Sequence, residues 1–589
     1  QLYIRGIGSN DDSGGGGEQS VAMFIDGVYI NRSAGAAMEL FDLESVEVLR
    51  GPQGTLWGKN ATGGAVSLRT RKPTAKPRIE LEIGAGNLDR TSLQGLLSGP
   101  LAENWQAKLS FSKQDRAPYM QSVVDPSIET MDINRDAGRV QLLWQAGDQL
   151  ELLLSADYSS SRSTGVGVNP QLANPNTGSA AATANALAPI AYHQNFLENK
   201  GQQNSIAQGL SLQLDWQLGE LQLISLSSYR NTRADFENFL LGIGPSRFTT
   251  LDLNNYMFED DEIFAQELRL SGDGETHRWQ AGVYLNKENI HRHEGARSAG
   301  IFNGIDYNDQ RNQAHSYAVF SEWREALSEA LELTLGARLT HEIKDFQNTG
   351  VNSTPLFTRE DFSIRVRDTW TEDTYKAVLN YQLSEAAMLY FSAASGFKSG
   401  GFNGTVATAQ LAMTPFDQEE AFNLEVGLKS EWLDERLRVN LAVFHTDYQD
   451  LQILQQLDDG SCTAPCPVLT ENAGEALSRG AELELSWAAA TQLTLHANYA
   501  YLDTEYLQLK SNLTDSIGNR LRNAPEHAYN LSADWRQALA GGEIRARLEY
   551  LFKDKSYQNI QNRESSAIPA YTLWNARLSY NTADDQWQA

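Results

Sequence analysis

Period-two alternation, repeated along most of the chain, constrains this sequence more than any other feature. In LELTLGARLT, Leu331, Leu333, Leu335, Ala337 and Leu339 fall on one side, with Glu332, Thr334, Arg338 and Thr340 on the other. Leu493, Leu495, Ala497, Tyr499 and Tyr501 oppose Gln492, Thr494, His496 and Asn498 in the same way. Trp279, Ala281, Val283 and Leu285 repeat the pattern, as do Ile544, Ala546, Leu548 and Tyr550. Successive side chains of a strand point to opposite faces, so each segment predicts a strand with one apolar and one polar face. No stretch approaches the roughly 18 consecutive apolar residues of a membrane-crossing helix.

The connections alternate in length. Short ones such as SGPLAEN, WQAGDQ and WLDER alternate with long polar stretches near residues 160–205, 230–258, 343–370 and 449–477. Long structureless loops argue against a compact soluble domain. They are expected of an outer-membrane barrel, with short periplasmic turns, longer external loops and strands of about ten residues. Tyr158, Tyr499, Tyr501 and Tyr550 sit near strand ends, as an interfacial aromatic girdle requires. From Pro77 onward about twenty strands are expected, with a further one starting at Trp587; barrels of about 22 strands are transporters with a plugged lumen. The fold class is therefore an all-β transmembrane barrel of antiparallel strands.

The opening residues differ. VAMFIDGVYI and LESVEVLRGPQGTLWG are short apolar pieces rich in glycine, and TRKPTAKP, with its prolines and basic residues, reads as a linker. The expected division is a small α+β plug over residues 1–74 and a barrel over 75–589. The first residues, QLYIRGIGSNDD, read as the middle of a domain and the last, NTADDQWQA, as the start of a strand, so the chain is expected to be cut at both ends.

LRGPQGTLWGKNATGG (Leu49 to Gly64) superficially suggests a phosphate cradle. The spacing excludes it: three residues separate Gly54 from Gly58, Asn60 follows Lys59, and a β-like run follows where a P-loop needs a helix. Tight turns explain the glycines, which leaves Lys59 as a surface or interface charge. A net charge of -27 argues against a nucleic-acid partner, which would need clustered Lys and Arg. Cys462 and Cys466, a lone C-x3-C, lack the further ligands of a structural zinc site. A small loop disulfide is the reading, and it suggests an oxidising compartment. His291, His293 and Glu294 in HRHE have metal-binding chemistry, but an exposed non-binding loop is the preferred reading. No nucleophile–base–orienter set appears within one motif, so an enzyme is not expected.

Beyond these patterns the chain resembles the TonB-dependent outer-membrane receptors over nearly its whole length. The resemblance rests on IRGIG, FIDGVYINR and VEVLRGPQGTLWGKNATGGAV in the plug, and on AQELRL, ASGFKSGGFN, NLEVGLKSEWLDERLRVNLAVFHTDYQDLQ and NAGEALSRGAELEL in the barrel. It implies a bacterial outer-membrane location, contact with outer-membrane lipid, and active import of a scarce small molecule. The inner-membrane TonB complex would pull a TonB box upstream of Gln1 and rearrange the plug. A ferric siderophore is the expected transported ligand; saccharide or cobalamin uptake and a passive porin-like channel are the alternatives, and no cofactor is expected. Haem is disfavoured, since haem receptors of the family carry an FRAP box with an NPNL box and this chain has only NPNT (Asn174 to Thr177).

The resemblance also implies plug–barrel ion pairs from Arg5 and Arg50 to Glu425 and Glu482. Charge-assisted Arg–carboxylate forks would orient the plug while leaving a wettable interface; lining a hydrated lumen without pairing is the alternative. Substrate contacts are expected on the external side, at Asn10, Asp11 and Asp12 in GSNDDSGGGGEQS and at Asn31 and Arg32 in NRSAGAAMELF. The acidic trio lacks EF-hand spacing, so a solvated loop competes with a cation site.

Overall fold

The computed structural model describes residues 2–8, 17–32, 42–165, 191, 193–195, 197, 199–239, 251–300, 304–353, 359–456, 468–510, 513–584 and 586–588. Among these, twenty antiparallel strands form one barrel sheet. Neighbours follow chain order from Arg78–Ala85, and the order returns to that strand from Tyr571–Thr582. Where a further strand was expected, Gln588 makes only an isolated bridge to Asn581.

Apolar side chains point outward, inverting the pattern of a water-soluble barrel. Val283 and Leu285, Tyr317, Val319 and Trp323, and Leu335 and Leu339 on successive strands are all exposed. Above this belt the outward positions turn polar at Lys287, His315 and His341. The belt matches the apolar band of about 25 Å that an outer-membrane barrel presents to lipid. Inward positions of the same strands are polar and buried, among them Asn286, Glu288, Arg338, Thr340 and Glu342.

The strands are longer than period two predicts. Gly304–Ser328, Leu331–Asn352 and Phe362–Ser384 carry the wall well past the apolar belt. Much of the expected loop sequence at 230–258, 343–370 and 449–477 is therefore strand. The cause is the backbone ladder, which continues residue by residue from Gly336↔Lys376 to Gly350↔Phe362. Outside the membrane both faces meet polar surroundings, so alternation vanishes while hydrogen bonding persists.

Inside the wall lies a four-stranded sheet ordered Val28–Ile30, Val21–Ile25, Gly64–Thr70, Leu43–Arg50. Val21–Ile25 runs parallel to Gly64–Thr70, and the other pairs are antiparallel. One face buries Ala22, Phe24, Tyr29, Ala61 and Ala65, with the Trp57 ring 4.7 Å from that of Phe24. The other buries Met23, Ile25, Ile30 and Leu68. Each large side chain so buried contributes about 1.5–3 kcal/mol, enough to hold a small sheet together. No helix occurs among the described residues of this plug.

Candidate functional site at the plug–barrel interface

Tyr3–Ile4 and Ile7–Gly8 form a minimal hairpin with Arg5 and Gly6 at its tip. Both tip residues have positive φ, 51° and 82°, the requirement of a two-residue type I′ turn. This conformation is unfavourable for arginine, and the tip contacts hold it in place. Arg5 Nη1 lies 2.8 Å from Glu425 Oε2, and Arg5 Nη2 lies 2.8 Å from Glu482 Oε2. The guanidinium also sits 3.7 Å from the centre of the Phe444 ring, and Ser478 Oγ donates to the Arg5 carbonyl at 2.7 Å. Arg50 Nη1 shares Glu482 at 3.0 Å, while Arg50 Nη2 reaches Glu484 at 2.8 Å. The four residues singled out from the sequence thus come together, with Glu484 as a fifth member two positions along the same strand face.

The segment from Gly51 to Gly63 folds back on itself through Gly51 N–Gly63 O and Gln53 N–Ala61 O bonds. It docks on the barrel strand Ala387–Lys398, where Gly54 N donates to Ser395 O at 3.1 Å and Asn60 N to Phe397 O at 2.8 Å. A Cβ on Gly54 would lie 2.6 Å from Thr374 Cγ2 and 2.8 Å from Ser395 O, so the approach needs glycine.

This docking buries Lys59, which sequence spacing left as a surface or interface charge. Its Nζ lies 2.6 Å from Glu342 Oε1 and 3.1 Å from Glu18 Oε1, and Lys344 Nζ also meets Glu18 at 3.1 Å. Asn60 Nδ2 donates to Glu18 Oε2 and to the Tyr29 hydroxyl. Burial opposes the ammonium charge of Lys59, but Glu18 and Glu342 outweigh it and hold the lysine well above its ordinary range. Burial likewise opposes the Glu18 carboxylate, yet Lys59, Lys344 and Arg32 hold it below the usual carboxylate range. Lys59 and Glu18 therefore face each other as an ionised pair at neutral pH.

Asn31 and Arg32 are only 3% and 2% exposed. Asn31 Nδ2 donates to Asp261 Oδ2 and Glu288 Oε1, both at 2.6 Å. Arg32 donates to the Gly17 carbonyl at 3.0 Å and stands 3.6 Å from Glu259. Asn31 thus engages the barrel wall, and Arg32 both plug and wall, rather than an open surface. Asn10, Asp11, Asp12, Cys462 and Cys466 lie outside the described residues. His291 and His293, expected in a loop, lie on the strand His277–Gly300, where they face outward and flank the Asp309 carboxylate at 3.2 and 3.4 Å.

Sequence reasoning missed Glu18, Glu342, Lys344, Asp261 and Glu288. One signal was present: charges on the polar phase of otherwise alternating strands, as at Glu342 and Lys344 in HEIKDF. Together these contacts make an interface of ion pairs and amides between a small sheet and a surrounding wall. Buried pairs of this kind orient strongly but hold weakly against replacement by water. The interface can therefore be tight and still come apart.

The sequence matches the family described as "TonB dependent receptor-like, beta-barrel" over residues 143–589 and "TonB-dependent Receptor Plug Domain" over residues 1–65. It is 26% identical to the "Metal-pseudopaline receptor CntO" of Pseudomonas aeruginosa (strain UCBPP-PA14), over 94% of this chain and 76% of that one. Identity to the "Pesticin receptor" of Yersinia pestis is 24%, over 86% and 69%. The fold is shared with the ferric yersiniabactin uptake receptor FyuA from Yersinia pestis, at a TM-score of 0.83 and 22% identity over 99% of this chain and 84% of that one. The siderophore receptor PiuA from Acinetobacter baumannii aligns at a TM-score of 0.76 and 17% identity, over 98% and 86%. With barrel and plug both matched in their order along the chain, the protein belongs to the TonB-dependent receptors.

Proposed function

We propose that this receptor imports a metal chelate, and specifically a ferric siderophore, across the bacterial outer membrane, with the TonB complex supplying the energy. The observation that carries the reading is the ionic plug–barrel interface: Arg5, Arg50 and Lys59 meet Glu425, Glu482, Glu484 and Glu342 of the wall. An open pore has no use for a plug so oriented. A permanently sealed one would be better served by apolar packing. The names of the similar receptors support a metal chelate as cargo. Rearranging the plug would have to break the contacts that tie the Arg5 hairpin to the wall.

The test is uptake of radiolabelled ferric siderophores by cells carrying the gene, with and without functional TonB. TonB-dependent accumulation of at least one chelate is expected. Accumulation that persists without TonB would instead mean a passive channel, and TonB-dependent uptake of a saccharide or cobalamin with no iron chelate would overturn the cargo.

A further inference from the structure

Beside the hairpin, on its external side, a cavity of about 60 Å³ opens between plug and wall, lined by Gly6, Ser20, Lys398, Glu419, Tyr506 and Arg522 among others. A cavity of that volume admits several waters, or one carboxylate-sized group, but not a whole chelate. Its charges do not balance. Lys398 is 7% exposed, and among the described residues no carboxylate stands within ion-pair distance of its Nζ. Glu419 faces it in register on the neighbouring strand. However, Glu419 Oε1 accepts from Thr62 Oγ1 and Oε2 from the Gln452 amide, both at 3.0 Å. Arg522 gives one nitrogen to the Leu454 carbonyl at 3.1 Å, while its buried Nε has no partner among the described residues.

An ammonium on so little exposed a side chain has given up much of its bulk hydration and opens on the cavity with no counter-charge, and an unpaired buried guanidinium N–H is costly. Two such cations at one small cavity describe a receptor for an anionic oxygen. We propose that this cavity binds one anionic arm of the transported molecule, a free carboxylate or phenolate, between Lys398 and Arg522. The inference rests on the chelate-import reading and narrows it: the cargo carries a negatively charged group outside its metal-binding set. The plug side of the cavity is the hairpin of Arg5, so an occupant touches the same element that is tied to Glu425 and Glu482.

Two measurements on the full receptor test this. Crystals grown in selenate should show an anomalous peak within hydrogen-bonding reach of Lys398 Nζ, lost in Lys398→Met and retained in Lys398→Arg. No peak with Lys398 intact overturns the proposal. Lys398→Met should also weaken binding of ferric citrate about tenfold or more, the scale of one charge-assisted hydrogen bond. Binding of neutral ferric tris(acetohydroxamate) should stay within about twofold, since an uncharged ligand has no such bond to lose. An equal loss for both chelates would assign Lys398 to the fold instead and overturn the proposal. If the wild-type receptor binds neither chelate, the uptake assay alone decides the import reading, while the selenate peak still decides the cavity, its absence overturning the proposal.

Discussion

Among the residues of the interface, burial ranks contacts that distance alone would rate equal. Arg5 and Arg50 both lie within 3.0 Å of Glu482, yet their side chains are 4% and 40% exposed. Removing a partner from a buried pair leaves an uncompensated charge, whereas a half-exposed pair is screened by water. Arg5→Ala is therefore expected to loosen the hairpin by about 3–5 kcal/mol and Arg50→Ala by less than about 1 kcal/mol, read from hydrogen exchange of the plug amides. A cycle of Arg5→Glu with Glu482→Arg should show coupling; additive effects would mean the two do not pair. Lys59→Met should likewise cost about 3–5 kcal/mol of plug docking, because Glu18 and Glu342 are left buried together.

The pH dependence of that cluster has a definite sign. Glu18 has its folded pKa depressed, so its stabilisation is complete above the ordinary carboxylate range and lost only as pH falls through the lowered value. Lys59 has its folded pKa raised, so its share persists below the ordinary lysine value and is lost as pH rises through the higher one. Plug protection measured by exchange should be flat from about pH 5 to 9. A step near neutrality would exclude this cluster as the principal hold. Sequence could not place these partners: Lys59 is separated from Glu18 by 41 positions and from Glu342 by 283. Arg5 with Glu425 and Glu482 was accessible only because they lie in recognisable motifs.

For single elements, the alternation of strands was legible and their length was not. Period two reports a side chain's solvent, so it marks the lipid belt and falls silent where the strand leaves the membrane. Val319, outward and 55% exposed, lies between Tyr317 and Trp323 within that belt. Val319→Arg should cost about 2–4 kcal/mol of barrel stability, and a charge change at Arg311 above the belt under about 1 kcal/mol, compared by urea unfolding in lipid vesicles. The docked glycine segment makes a second test. Gly54→Val forces its side chain against Thr374 and Ser395. It should weaken the segment's docking by about 1–3 kcal/mol, seen as faster exchange at the Gly54 and Asn60 amides with the barrel ladder unchanged.

At the scale of the whole molecule, two kinds of cohesion are nested. The wall is held by continuous backbone ladders, in an environment where an unpaired amide is costly. The plug is held within it largely by ion pairs and amide bonds. Graded urea should therefore free plug amides to exchange before those of the barrel strands, and simultaneous release would contradict this hierarchy. The sequence by itself determined the barrel, its inside-out polarity and the separateness of the opening residues, because alternation and turn chemistry are local properties. Only the tertiary structure decided the contacts that no motif names: that Lys59 is buried, that Asn31 and Arg32 face the wall, and that Lys398 stands beside a cavity without a counter-charge. Those facts depend on the register of distant strands around the plug, and no local pattern of residues encodes that register.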